Sequence, residues 1–291
     1  GKAFAEGEGS LVKSAGITPD SILYPVDQAI ENIGIALTFD DEKKVEVISE
    51  IAEERLGESE VMAEKGDDEL AQESIQEYQE NMNEANEMLE EIVGDSEEAV
   101  DNSQQEENEG QTLENQGETV ENKEENVEVT NKEASENASE ATEDVSGEKI
   151  TDTELDDSKN EELKELEEKI LAKQMKAIEV LKSIQEKVGE NAKQTIAKVI
   201  EMQTAKKEAV IAMVEKRHSL NEAKKAYKNA ALELKKAEEA GNEEAIKAAK
   251  EAIEANKEVY IASKEEFKGA FENHKKVVKA AKEIKKELNE D

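Results

Sequence analysis

The feature that most limits the possible folds is an apolar repeat in the last quarter of the chain. From Leu220 to Leu288, mainly apolar residues recur at alternating spacings of three and four, with one interruption around Gly241 and with Asn256, Ser263 and His274 at three of the positions. This spacing places them on one face of an α-helix and is typical of coiled coils. Residues 219–291 are therefore predicted to form two long helices that fold back on each other as an antiparallel hairpin.

The second helix of this hairpin is longer than the first, so its far half has no partner within the hairpin. That half is predicted to pack either on residues 192–218 or on another molecule. For packing on another molecule, the residues assigned to self-association are Phe267, Phe271, His274, Val277, Ile284 and Leu288. Counting back from the turn pairs Tyr227 with Asn256, and Tyr260 with Ala223.

Helical spacing also covers much of the remaining chain. Residues 19–95 are predicted to form an acidic module of three helices, with boundaries at Gly66 and Gly94. Residues 161–218 are predicted to form further helices that pack on this module. A break is expected at Ser219, which lies three residues before a glutamate, the spacing of a capping box.

The first helix of the acidic module is short and amphipathic. It begins at Pro25, one of only two prolines in the chain, and proline suits a first turn because its missing N–H would have no partner there. It is predicted to end near Phe39, after which Asp40 and Asp41 cap the next helix. The apolar residues on one face, expected to pack within the module, are Val26, Ala29, Ile30, Ile33 and Leu37.

Negative charge is concentrated in the first part of the chain. The formal net charge is -37, and residues 1–160 contain 48 acidic and 10 basic residues, whereas residues 161–291 contain 27 and 28. Such a surface repels nucleic acid and anionic membranes, and it favours cations and basic proteins as partners. No apolar run approaches the roughly 20 residues that a membrane helix needs, so membrane insertion is not expected.

Residues 96–160 differ from both flanks in composition. They are rich in Glu, Asn, Gln, Ser and Thr, contain no aromatic residue and show no sustained apolar period. Such a segment cannot bury enough apolar surface to offset its conformational entropy, so we expect a disordered acidic tether. The predicted fold class is therefore all-α: a helical bundle with a long antiparallel coiled-coil-like C-terminal hairpin and a disordered acidic insertion.

The sequence contains little that suggests catalysis. It has no cysteine and two histidines, His218 and His274, which lie 56 positions apart; no nucleophile motif or phosphate-binding loop is present. We predict that the protein is not an enzyme and has no cofactor or specific metal site, with weak non-specific calcium binding left open.

Arg55 lies among glutamates and is interpreted as a structural ion pair across the N-terminal helices, or alternatively as a recognition residue.

Three short motifs resemble a known family. They are Leu23-Tyr24-Pro25, Leu37-Thr38-Phe39-Asp40 and Ala52-Glu53-Glu54-Arg55-Leu56, and they are similar to the exported bacterial and archaeal proteins of the domain of unknown function 5667 family. The helix predicted over residues 177–201 is similar to the continuation of that family, which implies that the tether is an insertion within one bundle. The resemblance implies export and an all-helical fold, and it implies no activity.

Two functions from different classes fit these observations. The first is a structural or assembly subunit at the cell exterior, acting as a homo-oligomer or with a protein partner. The second is an extracytoplasmic binding or sensing module for a basic protein or divalent cations.

Ala3-Phe4-Ala5 has the form of a signal-peptidase site, so residues 1–18 are interpreted either as the remnant of an export signal or as an ordinary flexible tail.

Overall fold

The computed structural model describes the backbone of residues 10–111 and 152–290, and the side chains of residues 10–96 and 158–283. The chain divides into two compact units, residues 1–94 with 162–291 and residues 95–161. The secondary structure of the described residues is a 3-10 turn, Val12–Ser14, and six helices: α1 Tyr24–Leu37, α2 Asp41–Lys65, α3 Asp68–Gln111, α4 Asp152–Lys187, α5 Glu190–Glu239 and α6 Glu243–Glu290. The predicted all-α fold class is confirmed. None of the described helices is long and apolar enough to cross a membrane.

The apolar stripes of α2 to α6 meet in one continuous core in the first unit. These stripes have the three-four spacing seen in the sequence, so each helix presents one apolar face to the others. The large side chains buried there include Ile48, Leu56 and Met62 of α2, Ile75, Met82 and Leu89 of α3, Ile170, Leu181 and Ile184 of α4, and Ile196, Val199 and Met213 of α5. Residues on both sides of residues 95–161 thus share one core, and the intervening segment is inserted within one bundle.

Polar caps and a glycine set the helix boundaries around α2, as the sequence predicts. The Asp40 carboxylate accepts a hydrogen bond from the Lys43 backbone N–H at 2.7 Å, which satisfies one of the orphan donors of the first turn. Gly66 ends α2 with a φ of 80°, a left-handed conformation that favours glycine. The Asp68 carboxylate accepts from the Gly189 N–H at 2.8 Å and so joins the start of α3 to the start of α5.

Residues 10–18 pack on α2, which corrects the expectation of a flexible tail over this part of residues 1–18. Leu11 is 1% exposed, and its backbone N–H donates to Glu60 Oε2 at 2.8 Å. This approach depends on Gly57, where a Cβ atom would lie 2.4 Å from the Leu11 carbonyl oxygen. Residues 1–9 lie outside the described residues.

Helices α3 and α4 extend further than the sequence predicts. Helix α3 continues through Gly94 to Gln111, and α4 begins at Asp152, so both ends of the predicted tether are helical. A glycine inside a helix costs about 1 kcal/mol relative to alanine, but the Phe271 ring lies 3.4 Å from where a Gly94 Cβ would be. The packing of the Phe271 ring against Gly94 therefore offsets the cost of placing a glycine in the helix. Residues 112–151, the centre of the predicted disordered segment, lie outside the described residues.

Helix α5 is continuous through Ser219, so the predicted break is absent. The Ser219 hydroxyl donates to the Glu215 carbonyl oxygen within the same helix, at 3.1 Å. It therefore acts as an interior helical serine, and no new helix starts there.

Helices α5 and α6 form the predicted antiparallel hairpin around Gly241. Lys216 of α5 and Glu266 of α6, which lie equally far before and after Gly241, form an ion pair at 2.6 Å, as expected for the register counted from the turn. The rings of Tyr227 and Tyr260 also stack, with centroids 6.1 Å apart, although their backbone positions are offset by about one helical turn in that register. Helical side chains lean towards the N-terminus of their own helix, so the two rings lean towards each other and meet.

The far half of α6 packs on α3 of the same chain. His274 Nδ1 lies 2.7 Å from Glu90 Oε1 of α3, and His274 and Phe267 are 0% and 6% exposed. Phe271 and Val277 are half-buried. Of the predicted self-association residues, Phe267, Phe271 and His274 are therefore packed within the bundle, and the side chains of Ile284 and Leu288 lie outside the described residues.

Candidate functional site

Helix α1 exposes its apolar side, the reverse of what its sequence pattern predicts. We define the α1 face as the exposed apolar residues of α1 and its flanks: Ile22, Leu23, Val26, Ile30, Ile33, Leu37 and Phe39, which are between 54% and 94% exposed. Ile35, on the opposite side of the helix, is partly buried against the core. The α1 face therefore lies open to solvent in the described structure.

The polar side of α1 is held against the bundle by a buried arginine. Arg55 of α2 is 2% exposed and forms ion pairs with Glu31 of α1, Glu58 of α2 and Glu77 of α3. The distance from Arg55 Nε to Glu77 Oε2 is 3.0 Å. The guanidinium also lies over the Tyr24 ring of α1, 5.3 Å from its centroid, a cation–π contact. We call these five residues the Arg55 anchor; it joins three helices through one side chain.

The Tyr24 hydroxyl lies 2.9 Å from Glu58 Oε2 and 2.9 Å from Glu77 Oε2. One hydroxyl carries one proton, so it can donate to only one of these carboxylates. Gln28 Nε2 also donates to Glu77 Oε2, at 3.0 Å, so this oxygen serves as an acceptor. Burial raises the pKa of Glu58 to about 7, so near neutral pH a protonated Glu58 can donate to the Tyr24 oxygen. This arrangement satisfies both contacts.

Further carboxylates surround the anchor. Burial raises the pKa of Glu31 to about 6, and burial also raises the pKa of Glu54. Ligand oxygens of Asp27, Glu31 and Glu54 lie within 4.8 Å of one another. Carboxylates so arranged have the chemistry of a divalent-cation ligand set, but Arg55 already supplies a positive charge to Glu31. We therefore interpret this cluster as part of the anchor.

An open groove of about 240 Å³ lies beside the anchor. It is lined by Gln28, Glu31, Asn32, Ile35, Ile51, Arg55, Glu77, Glu80 and Asn81. These residues include no serine, cysteine, histidine or lysine, so the groove offers no side chain of the kinds that most often act as nucleophiles. Its walls are polar, and its ionisable groups are the carboxylates of Glu31, Glu77 and Glu80 and the guanidinium of Arg55.

Other buried charges lie inside the bundle. Arg217 of α5 forms two hydrogen bonds with Glu167 of α4, at 2.5 and 2.8 Å, and His218 Nε2 lies 3.1 Å from the same carboxylate. Lys206 is 1% exposed and donates to Asn83 Oδ1; burial lowers its pKa to about 7. The two histidines thus contact different glutamates, Glu167 for one and Glu90 for the other.

The sequence analysis singled out Arg55 among its neighbouring glutamates, which include Glu58, but it missed the partners Tyr24, Glu31 and Glu77 and the Arg217–Glu167 pair. A usable signal was present in the composition. The chain has 38 basic residues, of which only two are arginine, and both are buried. In a chain whose surface cations are lysines, an arginine therefore indicates a buried position with several hydrogen-bond partners. The planar guanidinium can serve such partners because it carries several donors in a fixed arrangement.

One of three comparisons with known proteins gave a match, and that match covers the region that contains this site. No match was found among curated proteins or among solved structures. A family model described as "Domain of unknown function (DUF5667)" matches residues 16–123. The match includes the three motifs, the α1 face and the Arg55 anchor. Residues 16–123 are therefore similar to the DUF5667 family, the family that the three motifs of the sequence resemble.

Proposed function

We propose that the protein is a non-catalytic helical assembly subunit that acts outside the cytoplasm and binds a protein partner through the α1 face. The observation that carries this proposal is the exposure of seven large apolar side chains around one short helix. Together they present on the order of 500 Å² of apolar surface, which is near the upper end of what monomeric proteins leave uncovered. Patches of this size usually mark binding sites.

The orientation of α1 supports a specific role for this face. An amphipathic helix of this kind would ordinarily pack its apolar side inward, yet the Arg55 anchor fixes the polar side of α1 to α2 and α3. Bringing Arg55, Glu31 and Glu58 out of water is costly, so such a cluster is weak evidence for stability and better evidence for a defined geometry. The chain thus holds the apolar side in an outward position.

The chemistry of the α1 face favours a protein over a membrane. Helix α1 contains no lysine or arginine, and its two acidic residues, Asp27 and Glu31, belong to the carboxylate cluster around the anchor. Helices that bind membrane surfaces usually carry basic residues on their polar side. The strongly negative chain would also be repelled by anionic lipids. An apolar protein surface fits the α1 face better.

The placement outside the cytoplasm rests on the resemblance of the three motifs to an exported family. It is the part of the proposal that depends least on the structure. Fractionation of producing cells, with the chain detected by antibody, tests it independently of any binding.

Site-specific photo-cross-linking in producing cells tests the proposed binding. A photoreactive residue is introduced at position 30 on the α1 face, and as a matched control at position 232 on α5; Ile30 and Leu232 are 63% and 55% exposed. We expect heavier adducts from position 30 and few from position 232. Equal yields from both positions, or none from position 30, would contradict binding through the α1 face.

A further inference from the structure

We infer that the α1 face binds the α1 face of a second copy of this chain, with the two helices antiparallel across a two-fold axis. This inference rests on the proposed function, because both use the same surface, and it goes further by naming the partner. It is carried by three properties of the face: its lack of charge, its self-complementary shape and its area.

The α1 face is uncharged although the chain is strongly acidic. The net charge of each chain is -37, so most surfaces of two copies repel each other. The seven residues of the face are all apolar, and the acidic residues of α1 belong to the anchor cluster behind it. Within these seven residues two copies can therefore meet without opposing like charges, and a basic partner would find no acidic group among them to pair with.

The order of large and small residues makes the face complementary to itself. In an antiparallel pair centred on Ile30, Val26 of one copy lies opposite Gly34 of the other, and Leu23 lies opposite Leu37. A side chain added at Gly34 would meet nothing within 4 Å, so there is open space for the Val26 side chain of a second copy. Each two-fold pairing contains this fit twice, as an isologous interface requires, and the opposed helix dipoles also favour the antiparallel direction.

The area of the face agrees with a weak pairing. If each copy covers on the order of 500 Å², the pair buries about 1,000 Å², which is near the lower limit for specific interfaces. An interface of this size is expected to dissociate in roughly the micromolar range or above. Its formation should become stronger with added salt, because salt screens the repulsion between the two acidic chains.

The chain lacks cysteine, so single introduced cysteines can report the pairing in the full-length protein. We expect Ile30→Cys to form a disulfide-linked dimer, under mild oxidation, at least about tenfold faster than Leu232→Cys at the same concentration. Mixing Val26→Cys chains with Gly34→Cys chains should give mainly the mixed dimer, because only the antiparallel arrangement places these two positions together. Both variants replace exposed residues, and unchanged melting temperatures verify that they fold.

Light scattering at several concentrations and salt levels provides a second readout. We expect the average mass of the unmodified chain to rise above 32.2 kDa with concentration, and more so at high salt. Ile33→Asp should abolish the rise, and Leu232→Asp should retain it. A constant monomer mass, together with equal cross-linking rates for Ile30→Cys and Leu232→Cys, would overturn the inference.

The two proposals fail in different ways. If the purified chain stays monomeric but photo-cross-linking at position 30 in cells yields an adduct with a different protein, the second copy is ruled out and the assembly role stands. If neither experiment gives a product from the α1 face, both proposals fall. An adduct of twice the chain mass in cells, with concentration-dependent dimers in vitro, supports both.

Discussion

The guanidinium carbon of Arg55 lies 5.3 Å from the centre of the Tyr24 ring, so the first helix is attached to the bundle by its polar side. This contact turns the apolar side of α1 to solvent. The orientation of α1 therefore follows from a side chain of α2 and not from the amphipathic pattern of α1 itself. The position of the proposed docking surface depends on that arginine.

We expect Arg55→Met to destabilise the protein strongly. The variant leaves Glu31, Glu58 and Glu77 close together without their counter-charge, and loss of one partner from a buried ion pair costs about 3–5 kcal/mol. Urea denaturation at neutral pH measures the loss in the free energy of unfolding. The control is Lys65→Met, which breaks the half-exposed pair with Asp20 and should cost much less, because water screens this pair. Similar losses for both variants would argue against a buried anchor.

Stability should depend on the protonation of Glu58. Its pKa is raised from 4.5 to about 7 in the folded protein, so the folded state binds the proton more tightly than the unfolded state does. This group therefore contributes most to stability below about pH 4.5, and the contribution is lost as the pH rises through 7.

Glu58→Gln isolates this effect from the other carboxylates. Glutamine mimics the protonated side chain and can still donate to the Tyr24 oxygen. We expect the variant to gain roughly 1 kcal/mol relative to the unmodified chain between pH 5 and pH 8. Urea denaturation at several pH values measures the gain, with exposed Glu69→Gln as the control. A relative loss over that interval would refute the shared-proton arrangement.

Lys206 should have the opposite pH dependence. Burial lowers its pKa from 10.5 to about 7, so burying this side chain costs most at low pH, and the cost fades as the pH rises towards 10.5. We expect Lys206→Met to raise the free energy of unfolding at pH 6 by about 1 kcal/mol. Loss of the hydrogen bond to Asn83 reduces this gain, and the gain should be smaller at pH 9. Chemical denaturation at the two pH values tests this. A larger gain at pH 9 would contradict the assignment.

Substitution of Phe267 tests whether this residue lies in the core of the bundle or on a surface used for self-association. Because its side chain is 6% exposed, Phe267→Ala should lower the free energy of unfolding by about 3–4 kcal/mol. Ile261→Ala, at a position of the same helix that is 52% exposed, should cost less than about 1 kcal/mol. The measurement is thermal or urea unfolding at a low protein concentration. If Phe267→Ala changed association but left the stability of the monomer intact, the packing of α6 on α3 would be wrong.

Local signals in the sequence were sufficient for much of the helical framework. The Asp40 cap, the Gly66 terminus and the turn at Gly241 each depend on residues within one helical turn of the boundary, and all three are present. The end predicted at Gly94 failed because packing with Phe271, which lies 177 positions away, offsets the weak helix propensity of glycine. The stacking of Tyr227 on Tyr260 was missed because counting from the turn places the backbones and does not include the lean of the two side chains towards each other.

The site could not be predicted in the same way. The spacing in α1 shows that the helix has an apolar face, but it cannot show which face is covered. That outcome depends on Arg55, Glu58 and Glu77, which come from two other helices and lie up to 53 positions from Tyr24. Only the rarity of arginine in a lysine-rich chain pointed to part of this cluster.

The tip of the hairpin of α5 and α6 should be the site where proteases cut the chain first. Between residues 221 and 259 the buried side chains are three alanines, Ala223, Ala230 and Ala237. Little apolar area therefore holds the tip around Gly241 closed, and the tip should open before the rest of the bundle does. Proteases should therefore cut there first. Because the near half of α5 and the far half of α6 are both anchored in the common core, the two fragments should stay together after the cut. The tip is thus a natural place to split the chain into two pieces that reassemble.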